Sequence, residues 1–554
     1  MIVVLSQGCA ANFGDGEKIA RILSRKSEVT FTFPEPGTAK DNDAETVANA
    51  KAKVVNAKAN VAQASKDIAN AAILASKTPA NFEQTSNFAN STRAVKTNAT
   101  APEAFYLNVC TVKGNAGALK LLRKAASAYP DTPIYITGCA PKDFREEAIR
   151  AVPQVQFTTL SELEKDPPLS SSTEGRGSII SSTRKSNENS ARNESRIRPA
   201  NVLRESPFVG IVNIEEGCLD ACAFCSTHLV KGRLHSFSPN DIVDQVQALV
   251  DDGSLEIQLT GQDCACYGFD IGTNLAELTQ RILTHVNGNY RIRLGMGNPR
   301  HVLGYQEALL DCFTDERIYK FIHIPVQSGS ENVLKAMNRR HTARDYATLA
   351  HAFNERFDKF TLSTDLIVGY PGETAADFND TLTLLKETRP TVCNITRFVA
   401  RPGTVAARLE TASATRLETA SATRLDASNS AHFVEASSKE HLESAINSTN
   451  FKSATSSPHH APVNMAIPDA VKHERSAILA EAFQQIALEN NRKWIGDECI
   501  VVTEKRGHRI GTTIARNTAY RPVALQGSFP AGQTLRVRIK DAEPFALIAD
   551  LQNI

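Results

Sequence analysis

The 554-residue sequence has no uncharged apolar run near the ~18 residues needed to cross a bilayer. That absence argues against a membrane protein and for no membrane partner. The opening "MIVVLSQGC" lacks a basic n-region, and its apolar run is shorter than a signal h-region. It reads as a first β-strand, and the chain reads as soluble and cytoplasmic. An excess of either charge is also missing: 62 Lys and Arg against 61 Asp and Glu leave a net charge of +1. Global charge therefore announces no nucleic-acid binder, and any such surface must be local. Nor do the cysteines pair off, since 11 is an odd number in a chain without a secretion signal. Reduced thiols acting as ligands are expected, not a disulfide framework.

A chain of this length exceeds one ordinary core and predicts several domains. Residues 36–101 are rich in Ala, Asn, Lys and Thr with little to bury, and read as an insertion within a first domain, 1–162. Residues 163–204 form a polar linker containing "SSSTEGRGSIISSTRKSNENS". Residues 408–462 open on the repeat "RLETASATRLETASATRLDAS", a slipped insertion more than a solenoid. Between them, 205–407 predicts a second domain, 463–492 a connecting helix, and 493–554 a small terminal barrel.

In the first domain, "IVVLSQGC", "FYLNVCTVKGNA" and "PIYITGCAPKD" are short β-rich runs ending at Cys9, Cys110 and Cys139. Helical patterns follow, so a parallel α/β sheet is predicted. Ligands gather at the carboxyl ends of such strands, so the three cysteines could converge on a metal. Buried core cysteines are the alternative. The second domain carries six β-like runs, "FVGIVNI", "LEIQLTG", "YRIRLGM", "KFIHIPV", "FTLSTDLIV" and "VCNITRFVA", separated by helical patterns. Repeated βα units predict a partial (βα)6 barrel with its functional residues at the strand ends. Gln262, Asp263, Gln327, Ser328 and Asp365 stand there, facing a ligand or simply hydrogen-bonded at the barrel mouth. The last domain reads as close-spaced strands of an antiparallel β-barrel. It is studded by Lys505, Arg506, Arg509, Arg516, Arg521, Arg536, Arg538 and Lys540, with Tyr520 as an exposed-looking ring. These charges form either a solvated face or a basic surface.

"EGCLDACAFCSTH" (216–228) places Cys218, Cys222 and Cys225 at spacings of four and three. Closed structural metal sites take four protein ligands, whereas a site with three keeps a position open for a small molecule. Three thiolates suit a [4Fe–4S] cube better than an electrophilic zinc, although zinc with His228 as a fourth ligand remains the rival. Cys264 and Cys266 have no evident role, and Cys312, Cys393 and Cys499 read as core.

C-x₃-C-x₂-C after the first strand of a βα barrel, with Phe224 before the last cysteine, resembles the radical S-adenosylmethionine enzymes. The wider order resembles their methylthiotransferases: a cluster domain, a radical domain and a TRAM (OB-like) barrel. "GCAANFGDGE", "NVCTVKGNA" and "TGCAPKD" resemble the N-terminal cysteine motifs. "LTGQDCACYGFDIGTNL", "FIHIPVQSGS", "STDLIVGYPGET" and "ITRFVARPGT" resemble the archaeal and eukaryotic branch, which acts on N6-threonylcarbamoyladenosine of tRNA. The resemblance implies two [4Fe–4S] clusters. One, on Cys218, Cys222 and Cys225, binds S-adenosyl-L-methionine; the other, on Cys9, Cys110 and Cys139, presents the sulfur to be inserted. It implies Phe224, Gln262, Asp263, Gln327, Ser328 and Asp365 as cofactor contacts, and His228 as uncoordinated. It also implies a tRNA anticodon loop as partner, modified at position 37, with a reductant and a sulfur donor it does not identify. Another tRNA adenosine, a ribosomal protein side chain, or a non-enzymatic iron–sulfur RNA-binding role are the alternatives.

Overall fold

The computed structural model describes residues 1–6, 10–24, 27–31, 33, 101–109, 115–138, 140–165, 204, 206–410 and 466–552. Most of the three low-complexity segments, and the repeat, lie outside the described residues. The first sheet contains β1 (Ile2–Ser6), β2 (Val29–Thr30), β3 (Ala104–Val109), β4 (Ile134–Gly138) and β5 (Gln156–Phe157), in the parallel order β2-β1-β3-β4-β5. Both faces are covered. Val3, Phe105 and Ile136 share one core, while Val4, Tyr106 and Tyr135 share another with Ile19 and Leu23. Burial on both faces explains why these strands read as continuous apolar runs and do not alternate.

Each of the six β-rich runs of the middle segment forms a strand. The chain enters through β6 (Val209–Asn213) and makes a short antiparallel ribbon of β7 (Glu215–Glu216) with β8 (His235–Ser236). It continues through β9 (Glu256–Thr260), β10 (Arg291–Leu294), β11 (Phe321–His323), β12 (Thr361–Val368) and β13 (Val392–Arg397). Two parallel sheets result, β10-β9-β6 and β11-β12-β13, joined by a parallel bridge between Ile292 and Ile318. Amphipathic helices cover the outside. Helix Pro239–Asp251, for instance, buries Ile242, Gln245, Val246 and Leu249, the three-and-four spacing of one helical face.

Helix Asp469–Arg492 returns to this core through Leu479, Phe483, Ile486 and Ala487, and leads into the last barrel. That barrel closes as β14 (Glu498–Arg506), β15 (Thr512–Asn517), β16 (Pro522–Gln526), β18 (Ala546–Leu551) and β17 (Thr534–Glu543). The expectation of a purely antiparallel barrel is corrected, because β16 and β18 pair in parallel. The reason is topological: a ring with an odd number of strands cannot alternate direction at every seam.

Of the two readings of the basic residues, the solvated face fits most of them. Arg509, Arg516, Arg538 and Lys540 are ion-paired with Glu543, Glu504, Glu498 and Asp550. Arg521 is buried, bonded to Asn491 and, at 3.2 Å, to Thr391, where helix, strand and barrel meet. Tyr520 is half-buried against the βα barrel, not presented to solvent. Among the described residues, no helix is long and apolar enough to cross a membrane.

Asp377 ties two helix starts together. It completes a capping box with Thr374 and accepts from Ser330 Oγ at 2.5 Å. Burial pushes its carboxyl up, but hydrogen bonds from Ser330, Thr374 and Asn332 outweigh that and hold it at about 2. A folded value below the unfolded one stabilises fully above the ordinary value of 3.8 and less as the pH falls toward 2. Asp377→Asn should cost roughly 1–2 kcal/mol at neutral pH. In urea titrations followed by circular dichroism, its deficit against wild type should shrink between pH 4 and pH 2.

Candidate functional site

The carboxyl ends of the six strands surround a cavity of about 1250 Å³. Cys218, Cys222, Phe224, Cys225, Gln262, Asp263, Gln327 and Asp365 all line it, as does His228. Ser328 does not; it is buried behind the wall, 3.1 Å from Thr381 Oγ1. Cys9, Cys110 and Cys139 lie outside the described residues. The strands that precede them, β1, β3 and β4, are parallel neighbours.

The cysteine loop is shaped by its own backbone. Gly217 has φ +82°, and a Cβ there would meet the Arg233 carbonyl oxygen at 2.1 Å, so only glycine fits. Its N–H donates to Gln262 Oε1 at 2.8 Å. The Cys218 N–H reaches the Gly232 carbonyl at 3.3 Å, and the Cys225 N–H reaches the Cys222 carbonyl at 3.0 Å. Below the loop, Glu215 accepts the Asp263 N–H at 3.0 Å, and burial pushes its carboxyl well up. Gly261 lies so close that a Cβ would fall 1.9 Å from Glu215 Oε1.

Polar side chains then buttress the loop from outside. Asp220, inside the triplet, takes Arg300 Nη1 at 2.6 Å and faces His301 Nε2 at 3.2 Å. Burial pushes Asp220 up, but these partners outweigh it and hold its carboxyl at about 2. Asp263 Oδ1 accepts the Asn298 N–H at 2.9 Å, and burial raises its carboxyl. Burial pushes the Cys222 thiol to about 11, and the Arg339 guanidinium, 3.4 Å away, opposes that shift. Arg339 thus supplies the positive charge that a thiolate at Cys222 needs. Asp365 is pushed up by burial, but His323 at 3.0 Å and Asn394 at 2.7 Å bring it below the usual carboxylate range.

Cys266 gains a position that its sequence context did not suggest. Its thiol lies within 4.8 Å of the ligand atoms of Cys218 and Asp263. Cys264 is fully buried beside the Leu259 carbonyl, and Cys312 and Cys393 are buried too, while Cys499 packs at the edge of the last barrel's core. Glu215, Arg339 and His301 are further site residues that motif spacing did not single out. Asp15, on the helix after β1, reaches the cavity, binding Lys231 at 3.2 Å and Asn213 at 3.3 Å.

The Radical SAM superfamily profile matches residues 212–385, the span from β6 to the helix after β12. A probable threonylcarbamoyladenosine tRNA methylthiotransferase from Archaeoglobus fulgidus is 36% identical over 349 residues, 63% of this chain and 68% of that protein. Its counterpart in Pyrococcus horikoshii is 34% identical over 341 residues, 62% of this chain and 67% of that one. The threonylcarbamoyladenosine tRNA methylthiotransferase of Homo sapiens is 37% identical over 212 residues, 38% of this chain and 37% of that protein. The βα strands with a three-cysteine loop at their carboxyl ends therefore define a radical SAM protein. More narrowly, the chain belongs to the threonylcarbamoyladenosine tRNA methylthiotransferase family, whose members are transferases.

Family membership implies an iron–sulfur cluster and S-adenosylmethionine, and the donor set can be tested against that. Among the described residues, two groups of three ligand atoms lie within 4.8 Å of one another: Cys218 with Asp263 and Cys266, and Asp220 with Asp263 and His301. The Cys218, Cys222 and Cys225 triplet is not such a group. Bonds of about 2.3 Å to one zinc would keep its sulfurs within about 4.6 Å. The wider triangle fits a multi-iron cluster, in which each thiolate binds its own iron.

Gly217→Ala should lower bound iron after anaerobic reconstitution by about one cluster's share, because the loop cannot seat against Arg233. Gly253→Ala is the control. It shares the left-handed backbone (φ +86°) but has nothing within 4 Å of its Cβ, so it should lose only roughly 1–2 kcal/mol of stability and keep its iron.

Proposed function

We propose that this chain inserts a methylthio group at C2 of N6-threonylcarbamoyladenosine, at position 37 of tRNA, with two [4Fe–4S] clusters and S-adenosylmethionine. The supporting observation is the half-buried, widely spaced cysteine triplet on the cavity wall of a chain from this family. Cys218, Cys222 and Cys225 would hold one cluster, with Gln262 and Glu215 fixing the loop and Arg339 balancing its charge. Cys9, Cys110 and Cys139 would hold the second, a reading favoured by the adjacency of the strands before them. Phe224, Gln262, Asp263, Gln327 and Asp365 face the space where S-adenosylmethionine would lie, and His228 stays outside the ligand set. Carbon 2 of an adenine is unactivated, and the bound cluster with S-adenosylmethionine supplies the radical chemistry that acid–base groups cannot. The protein's own part is to bind, orient and exclude water.

The target base must leave its stack to reach this cavity, which is easiest in a loop such as the anticodon loop. Lys505, Arg506 and Arg536 are exposed on the last barrel and would meet the RNA backbone. The division at 1–162, 205–407 and 493–554 follows from this reading as cluster, radical and RNA-binding domains, and the cytoplasm is the expected place of action.

Anaerobic reconstitution should give about eight irons per chain. With S-adenosylmethionine, a reductant and tRNA carrying N6-threonylcarbamoyladenosine, wild type should form 5′-deoxyadenosine and the 2-methylthio nucleoside. Cys222→Ala should form neither, while Cys110→Ala should form only 5′-deoxyadenosine. Wild type that yields no 5′-deoxyadenosine would sink the radical reading. A methylthiolated ribosomal protein in place of the nucleoside would redirect the substrate.

A further inference from the structure

The wall of the barrel lumen carries an arginine, Arg293, that no carboxylate among the described residues pairs with. Packed barrel interiors are filled mostly by branched apolar side chains. Midway along these strands the cavity is lined instead by Gln258, Arg293, His323, Asp365 and Asn394. Arg293 is the register partner of Gln258, two positions short of Thr260 at the end of β9. Two strand residues place it about 7 Å below the rim that bears Gln262 and the cysteine loop.

Aromatic rings hold this guanidinium. Phe321 lies 5.0 Å from it and Tyr520 5.4 Å. Tyr520 comes from the last barrel with φ +60°, and its hydroxyl donates to Glu256 at 2.8 Å, so its ring is fixed in place. Among the described residues the Arg293 side chain makes no hydrogen bond or ion pair beyond these ring contacts. Of the other cations lining the cavity, Lys231 is engaged by Asp15, Arg339 by Cys222 and the Pro325 carbonyl, and Arg397 by His473, while Lys505 is exposed to solvent. Asp365, the carboxylate of the same layer, is matched by His323. A ring-backed arginine facing a cavity presents its donors as a fork suited to a planar anion.

We propose that Arg293 binds the carboxylate of the threonylcarbamoyl group of the target nucleoside, and so selects the modified over the unmodified adenosine. This rests on the function proposed above. The cavity exceeds the roughly 300–1,000 Å³ of ordinary small-molecule sites, leaving room for a nucleoside beside a cofactor. A base extruded into it enters with its Watson–Crick edge leading, because the glycosidic bond leaves from the opposite side. The N6 substituent therefore goes deepest, toward Arg293. An adenosine without that carboxylate would leave the guanidinium desolvated and unpaired, which is a penalty against the wrong substrate.

The test uses the reconstituted full chain and three fluorescent anticodon stem-loops. One bears N6-threonylcarbamoyladenosine, one its carboxyl methyl ester, and one adenosine. Anisotropy should show wild type binding the acid roughly 10- to 100-fold more tightly than the ester. Arg293→Gln should bring that ratio near one, and Arg293→Lys should keep part of it. The acid preference surviving in Arg293→Gln would overturn the proposal. So would wild type that converts the acid yet binds the ester equally well, a comparison that needs no variant. A weaker affinity of Arg293→Gln for S-adenosylmethionine with the acid preference intact would assign Arg293 to the cofactor and also overturn it. Wild type that forms 5′-deoxyadenosine but never converts the acid would instead fail the proposed function itself.

Discussion

The seam where β6 and β9 end is the contact on which the site depends. There Glu215 takes the N–H of Asp263, and Gln262 takes the N–H of Gly217. The two strands thus exchange side chain for backbone just beyond their last ladder pair, Asn213 with Thr260. The exchange demands glycine at 261, since any larger residue would strike the Glu215 carboxyl. Burying that carboxyl is costly, and the cost falls if it is neutral and hydrogen-bonded. Everything above the seam follows from it. The cysteine loop leaves in one direction, and Asp263 turns toward Asn298 and His301 in the other.

Three parts of the chain converge on the same lumen. The N-terminal sheet region reaches in through Asp15, which bridges Lys231 and Asn213 at the mouth. The last barrel grips the opposite end of the strands, where Thr361 donates to the Ala519 carbonyl at 2.6 Å and the Lys320 N–H to the Thr518 carbonyl at 2.9 Å. Tyr520, next in the chain, then enters the cavity wall. Its positive φ is paid for by that placement, as strained residues near functional sites often are.

Much of this is legible in the residues. β-branched runs such as "LEIQLTG" and "FTLSTDLIV" mark their strands because both faces of each are covered. The cysteine triplet and the polar strand ends are equally plain, since local spacing carries them. What escapes is what depends on contacts between distant segments. Cys266 meets Cys218 only because two strand ends are neighbours, and Glu215 and Arg339 matter for the same reason. Ser328 follows a strand like its neighbour Gln327, yet one faces the cavity and the other the wall behind it. The parallel seam between β16 and β18 is required by the ring, not by the residues of either strand. Which basic residues of the last barrel are matched cannot be read in advance, because their acidic partners lie across strands.

Those cross-strand pairs change what the last barrel can contribute to RNA affinity. Of its eight strand and turn cations, four already have a carboxylate of the protein as counterion and a fifth is buried. A phosphate that displaces such a carboxylate returns an anion to water, so little of the counterion release that drives nucleic-acid association is gained there. Only Lys505, Arg506 and Arg536 remain to trade small cations for phosphate. For the proposed tRNA substrate, three such exchanges on a single strand correspond to a shallow logarithmic dependence on salt, of slope about −2. Under the proposed function, retention of the substrate would then fall to the lumen, where shape and a half-buried charge act, more than to the surface of the last barrel.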